Sequence, residues 1–233
     1  MKPEAKAYVL KEYGSWSVLI ISYLIGLGVS HALAWAAVPL FLALGLLVNS
    51  KQAFATWTRK TIDQRPLAVF LVQVFIATAI LVAVFRSDIP RLLPLLIFPA
   101  AYLLSNKFAG EHFVLTEALG FTLLSLAAVL VKFLLTEGLD VRLFFGVALY
   151  FTAGVFKIKA MLLKKIHYRV GAVLYVLFAL YMYHRFHIAY IILLPLVENV
   201  IVAVTLYKVK LQTTGWIEVG KSLVFLGLFL SWY

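Results

Sequence analysis

Nine apolar stretches, each at or near the length that a bilayer's hydrocarbon core demands, occupy almost the whole of this 233-residue chain. They fall at about 15–31, 32–49, 67–85, 89–105, 113–133, 141–157, 170–184, 187–207 and 216–233. A spanning helix uses about 20 apolar residues, fewer where flanking side chains snorkel. The first, seventh and ninth stretches lie near the short limit. A hydrophobic share of 64% and a mean hydropathy of +1.00 exclude an ordinary soluble domain. The runs are continuous rather than alternating, and backbone groups in hydrocarbon must be satisfied within their own segment, so helices are expected and a barrel is not. The expectation is an all-α integral membrane protein of about nine transmembrane helices, one polytopic domain over residues 1–233.

No cleavable signal peptide is expected, because Met1 to Lys11 is polar and charged and no small-residue cleavage site follows the first apolar run. There are no cysteines, which removes disulfides, thiolate catalysis, iron–sulfur clusters and Cys-held zinc.

The net charge of +11 is unevenly distributed. With the N-terminus inside, the cytoplasmic side holds Lys2, Lys6, Lys11, Lys51, Arg59, Lys60, Arg65, Lys107, Lys157, Lys159, Lys164, Lys165, Arg169, Lys208 and Lys210. The other side holds Arg86, Arg91, Lys132, Arg142 and Arg185. Such a bias predicts an inside N-terminus and, after nine spans, an outside C-terminus in a bacterial-type cytoplasmic membrane. Trp232 and Tyr233 then end the chain at the outer interface, where amphipathic rings sit well. The basic residues have two readings: orientation signals only, or contacts to an anionic ligand or lipid headgroup. The segments after the second and sixth spans are the most basic, lie on one side and are four spans apart, a pattern that suggests two similar halves packed in parallel.

Charged groups inside apolar spans are costly and are functional candidates. Glu198 stands out, within Leu194-Pro195-Leu196-Val197-Glu198-Asn199. Pro195 removes a backbone bond and predicts a kink, and a kink beside a carboxylate and an amide resembles a binding notch. The plainer alternative is a protonated Glu198 acting as packing glue between helices. Glu111, His112 and Glu117 open the fifth span, with Asn106 and Lys107 just before them. They form either a polar cluster or acids favoured by a helix N-terminus. Lys221 is expected one turn from Glu218. His184 and His187 have a spacing that can bind metal, but no third ligand is evident and a turn is the expected structure. Glycines such as Gly26, Gly28, Gly120 and Gly146 are expected where helices approach closely. Phosphate-cradling glycine loops, a Ser-His-Asp arrangement and an HExxH are absent.

The segment Lys11-Glu12-Tyr13-Gly14-Ser15-Trp16-Ser17 resembles the His-Gly-Ala-Trp signature that opens the YwiC-like family of bacterial membrane proteins. Tyr13 stands where that family has His. Phe156-Lys157-Ile158-Lys159-Ala160-Met161 resembles the same family's basic element after the sixth span, and length and span number agree. A looser resemblance is to UbiA-type prenyltransferases. These have nine spans, an inside N-terminus, and Asp-rich motifs in the loops after spans two and six that hold magnesium and an isoprenoid diphosphate. Here the first loop runs from Asn49-Ser50-Lys51 to Asp63-Gln64-Arg65-Pro66-Leu67 and keeps only Asp63. The second, Lys157 to Arg169, has no acid. Paired magnesium needs several hard oxygen ligands, so no metal pair is expected between these loops, and no other cofactor.

The leading expectation is therefore a UbiA-like bundle that binds an amphipathic lipid, an isoprenoid or another anionic small molecule from the cytoplasmic leaflet. Lys51, Arg59, Lys60, Arg65, Lys157 and Lys159 would form a convergent clamp, with Asn49, Asn106, Glu111 and Glu117 beneath it. Membrane lipids are the expected partners and nucleic acid is not. The alternatives are a transporter with Glu198 and Glu117 on a solute or proton path, and an accessory subunit of a membrane complex.

Overall fold

The computed structural model describes residues 10, 12–59, 64–206 and 211–233; Lys60 and Asp63 lie outside them. The described residues form helices and connecting turns, with no strand among them. In chain order they are α1 (Tyr13–Ser30), α2 (Ala37–Arg59), α3 (Arg65–Phe85), the single turn α4 (Ile89–Leu92), α5 (Ile97–Ala109), α6 (Val114–Thr136), α7 (Val141–Leu163), α8 (Ile166–Arg185), α9 (Val197–Thr205) and α10 (Leu211–Trp232). Short 3-10 segments at Arg86–Asp88 and Leu93–Leu96 flank α4, and a third, Tyr190–Leu196, leads into α9. Eight segments are long and apolar enough to cross a membrane, Ile89–Ala109 counting as one, and Tyr190–Thr205 is a shorter apolar ninth. The chain is an all-α, multi-pass integral membrane protein.

Two spans run further than their apolar stretches. The second was expected to end near residue 49 and continues to Arg59; the sixth was expected to end near 157 and continues to Leu163. Lys, Arg, Gln and Ala are good helix formers, and the charged side chains on these last turns find carboxylate partners. Lys51, Arg59, Lys157 and Lys159 are thus carried on helices rather than in loops.

The centre of the bundle is the crossing of α1 and α6. A Cβ on Gly26 would lie 2.5 Å from the Ala128 carbonyl oxygen, so only glycine permits this approach. One apolar cluster, containing Ile25, Ala128, Val147, Tyr183, Ile192, Phe225 and Phe229, joins α1, α6, α7, α8, the Tyr190–Leu196 segment and α10. A second, containing Leu19, Tyr23, Leu40, Phe85, Val131 and Phe133, joins α1, α2, α6 and the end of α3. The Asp140 carboxylate caps α7 by accepting the Leu143 N–H at 2.9 Å.

The fourth and eighth spans are built alike. Leu92-Leu93-Pro94-Leu95 and Leu193-Leu194-Pro195-Leu196 are the same four residues. At the same distance before each stands a Phe followed by a residue of positive φ: Phe85 then Arg86 (φ 34), and Phe186 then His187 (φ 54). Both segments begin as 3-10 turns and end as α-helix. The proline removes a backbone donor, which suits a tighter, interrupted start better than a continuous α-helix. The expected kink at Pro195 is this change from 3-10 to α at Leu196 and Val197. The same local pattern thus recurs in α3–α5 and in α8–α9.

The two repeats are not equally closed. α8 packs on α9, and Arg169 donates to the carbonyls of Ala203 (2.7 Å) and Val204 (2.5 Å), tying the start of one helix to the end of the other. In the first repeat α3 packs along α2 and α5 along α6, and among the described residues α3 and α5 make at most slight contact with each other. Ala68 stands at the register of Arg169 and has no donor to offer. α3 and α5 are the two arms of a V joined through residues 86–96, each arm packed on a different neighbour.

Candidate functional site

Most ionised side chains gather at one end of the bundle, the base, where α1 starts and α2 ends. They fall into three groups.

The first group joins α1, α2 and the α5–α6 connection. Lys51 Nζ lies 2.6 Å from Glu12 Oε2 and 4.0 Å from Glu111 Oε1, and Arg59 pairs with the other oxygen of Glu111. Ser15 donates to Glu12 at 3.0 Å, the Trp16 indole donates to the Leu10 carbonyl at 3.2 Å, and the Leu10 N–H donates to Asn49 Oδ1 at 3.0 Å. Burial pushes the Glu12 carboxyl up, but the Lys51 ammonium and the Ser15 hydroxyl outweigh it and hold its pKa below the ordinary value.

The second group joins α7 to α6. Lys159 Nζ donates to Glu117 Oε1 at 2.8 Å and to the His112 carbonyl at 2.7 Å. His112 Nδ1 is 3.6 Å from the same Glu117 oxygen, so a five-residue spacing does bring the two together across the start of the helix. Nearby, Ser105 and Thr116 share a hydrogen bond of 2.6 Å, and the buried Asn106 amide donates to the Tyr102 hydroxyl at 3.4 Å.

The third group lies deeper and joins α7, α9 and α10. Lys157, only 1% exposed, donates to both oxygens of Glu198 (2.6 and 2.5 Å) and to Glu218 Oε1 (2.5 Å). Lys221 donates to Glu198 Oε2 at 2.8 Å, to Glu218 Oε1 at 3.1 Å, and to Asn199 Oδ1. Among the described residues two ammonium groups and two carboxylates cancel, as a group held among apolar helices requires. Glu198 therefore sits between two lysines, where a protonated packing role was one reading of the sequence.

The residues singled out in the sequence separate accordingly. Asn49, Lys51, Arg59 and Glu111 belong to the first group, Glu117 and Lys159 to the second, and Lys157 and Glu198 to the third. Arg65 opens α3 at the base, exposed, and Asn106 is buried near the end of α5. Lys60 lies outside the described residues. Lys51, Arg59, Lys157 and Lys159 each have a carboxylate partner, so these cations stand in separate ion-paired groups. Glu12, Asn199, Glu218 and Lys221 complete those groups; Glu12 was not picked out for a site, Asn199 was noted only as the amide beside Glu198, and Lys221 and Glu218 only as a pair one turn apart. Glu218 had a signal, being a carboxylate one turn from Lys221 inside an apolar span.

The family model of YwiC-like proteins matches residues 9–132. The chain belongs to the YwiC-like family. The matched region runs from just before α1 almost to the end of α6, and includes the whole first group of charges. In this YwiC-like chain the opening signature builds the foot of α1: Trp16 and Ser15 bind its approach, while Tyr13 is 89% exposed. The basic element at Phe156–Met161 lies beyond the matched residues. No curated protein and no solved structure matches the chain.

Proposed function

We propose that this membrane protein takes an amphipathic lipid or isoprenoid with an anionic head into the V between α3 and α5, with the head at the base. The observation that carries this reading is the contrast between the repeats: the α8–α9 gap is packed and tied by Arg169, while the α3–α5 gap is not. Its two arms carry exposed apolar side chains, Phe75 on α3 and Phe108 on α5 being 75% and 78% exposed. Around its mouth stand Lys51, Arg59, Arg65 and Lys107 against Glu12 and Glu111, an excess of positive charge among the described residues. An anionic head would exchange with Glu111 for the Arg59 guanidinium, which suits planar oxyanions. The UbiA-type resemblance expects an isoprenoid diphosphate between the loops after spans two and six; the base of the V takes in only the first of these, which keeps a single aspartate, Asp63. The charge bias supports a cytoplasmic base in a bacterial inner membrane, and a reporter active only outside the cytoplasm, fused after Tyr233, should give signal.

The test is mass spectrometry of amphiphiles co-purifying with the protein. An anionic species enriched over the bulk membrane, and depleted in the Arg59→Gln, Arg65→Gln variant of equal fold, is the expected result. A pool that mirrors the bulk membrane in both proteins overturns the reading.

A further inference from the structure

We propose that Lys157, Lys221, Glu198, Glu218 and Asn199 form a second ligand site, for a compact group that pairs a primary ammonium with an oxyanion. The site lies on α7, α9 and α10, away from the V, and does not depend on the reading given for it.

The hydrogen-bond pattern defines what the site lacks. Each lysine meets three oxygens, which uses all three donors of an ammonium. The Asn199 side chain points into the group, since its Oδ1 accepts from Lys221, yet its Nδ2 is buried with no partner in a residue only 2% exposed. A buried amide donor without an acceptor is costly and marks a place for one. Lys221 is therefore a tethered ammonium seated among three oxygens, beside a donor waiting for an oxyanion.

Charge balance chooses the ligand class. The four ionised groups among the described residues cancel, so a single added cation or anion leaves net charge there among apolar helices, at high desolvation cost. A ligand carrying both charges leaves the balance unchanged. Its ammonium takes the place of Lys221 against Glu198, Glu218 and Asn199 Oδ1. Its oxyanion receives the displaced Lys221 and the Asn199 Nδ2. Lys221 is the lysine able to move, at 10% exposure against 1% for Lys157, and Glu218, 31% exposed, marks the side of approach. A free amino acid and the head of phosphatidylethanolamine share this chemistry.

The experiment is thermal unfolding of the full chain in detergent, followed by tryptophan fluorescence, with probes titrated in turn. The probes are alanine, dioctanoyl-phosphatidylethanolamine, dioctanoyl-phosphatidylcholine, ethylamine, propionate, glycine betaine and sucrose. The last two control for non-specific stabilisation by osmolytes. Alanine or the ethanolamine lipid should raise the midpoint saturably, by about 2–4 °C at roughly five times the dissociation constant. Ethylamine, propionate, betaine and the choline lipid should not do so. A response to alanine assigns the site to a free solute, and a response to the ethanolamine lipid alone assigns it to a headgroup. The shift should vanish in Glu218→Gln, or in Asn199→Leu if that variant folds better. No shift with either probe, a shift of equal size with ethylamine or propionate alone, or a shift that survives both substitutions overturns the proposal.

Discussion

Lys157 Nζ sits within 2.6 Å of both oxygens of Glu198, on a lysine that is 1% exposed and a carboxylate carried by the first turn of α9. A pair of this kind is worth little against well-packed apolar residues, but breaking it from one side strands a buried charge. Lys157→Met should therefore destabilise the bundle by about 3–5 kcal/mol. Lys157→Met combined with Glu198→Leu should recover much of the loss. The check is a double-mutant comparison of unfolding midpoints; equal losses in the single and double variants would show that Glu198 is not what Lys157 satisfies.

Gly26 governs the α1–α6 crossing. Its missing Cβ leaves room for the Ala128 carbonyl, a backbone atom that cannot turn away. Gly26→Ala should cost about 1–3 kcal/mol by overpacking, although alanine favours a helix more than glycine does. Gly171→Ala on α8, where a Cβ meets open space, should be neutral or mildly stabilising. Parallel unfolding curves for the two variants would separate packing from propensity.

At the end opposite the base, Asp140 pairs with Lys132 and accepts from the Tyr233 hydroxyl at 2.8 Å as well as from the Leu143 N–H. Burial pushes its carboxyl up, but Lys132, the α7 cap and Tyr233 together outweigh burial and hold its pKa below the ordinary value. The same contact, added to burial, pushes the Tyr233 phenol up. A carboxylate with a lowered folded-state pKa contributes stability that is complete above the unfolded value, about 3.9, and lost as pH falls through the folded value. Wild-type stability should thus fall below about pH 4 in part through this group. Asp140→Asn, which keeps an oxygen for the cap, should be less stable at neutral pH and should flatten that acid limb. An unchanged limb in the variant would show that Asp140 does not set it.

Much of this was legible in sequence because lipid enforces it. Long apolar runs had to be helices, and Glu198 and Lys221 within such runs had to find partners. The ends of α2 and α7 were harder to read, because Lys51, Arg59, Lys157 and Lys159 look like loop residues until their carboxylate partners are known. Those partners, Glu12, Glu111, Glu117, Glu198 and Glu218, come from other helices or the segments that join them, and only the fold reveals the matching. The sequence hinted at two halves only through its two basic segments four spans apart, while the doubled Leu-Leu-Pro-Leu gained its meaning from the backbone geometry. Arg86 and His187 share a positive φ that residue type alone does not announce. The openness of the V was not legible at all, since it turns on which neighbours α3 and α5 choose.

Arg169 is the residue that makes the second repeat differ from the first. Its Nε and one terminal nitrogen reach two consecutive carbonyls near the end of α9, where the last turn leaves oxygens without helical donors. Arg169→Leu keeps an apolar stem but removes both donors, so α9 should loosen from α8 at the base while the α1–α6 centre stays folded. Amide hydrogen exchange should rise over residues 197–205 by roughly tenfold or more, since each hydrogen bond to a charged group is worth about 1.5–3 kcal/mol. Exchange along α1 and α6 should not change. Arg169→Lys should rescue only in part, because an ammonium cannot span two carbonyls as a planar guanidinium does. If exchange over 197–205 is unchanged in Arg169→Leu, apolar packing alone closes the second repeat, and the contrast with the V does not lie in this side chain.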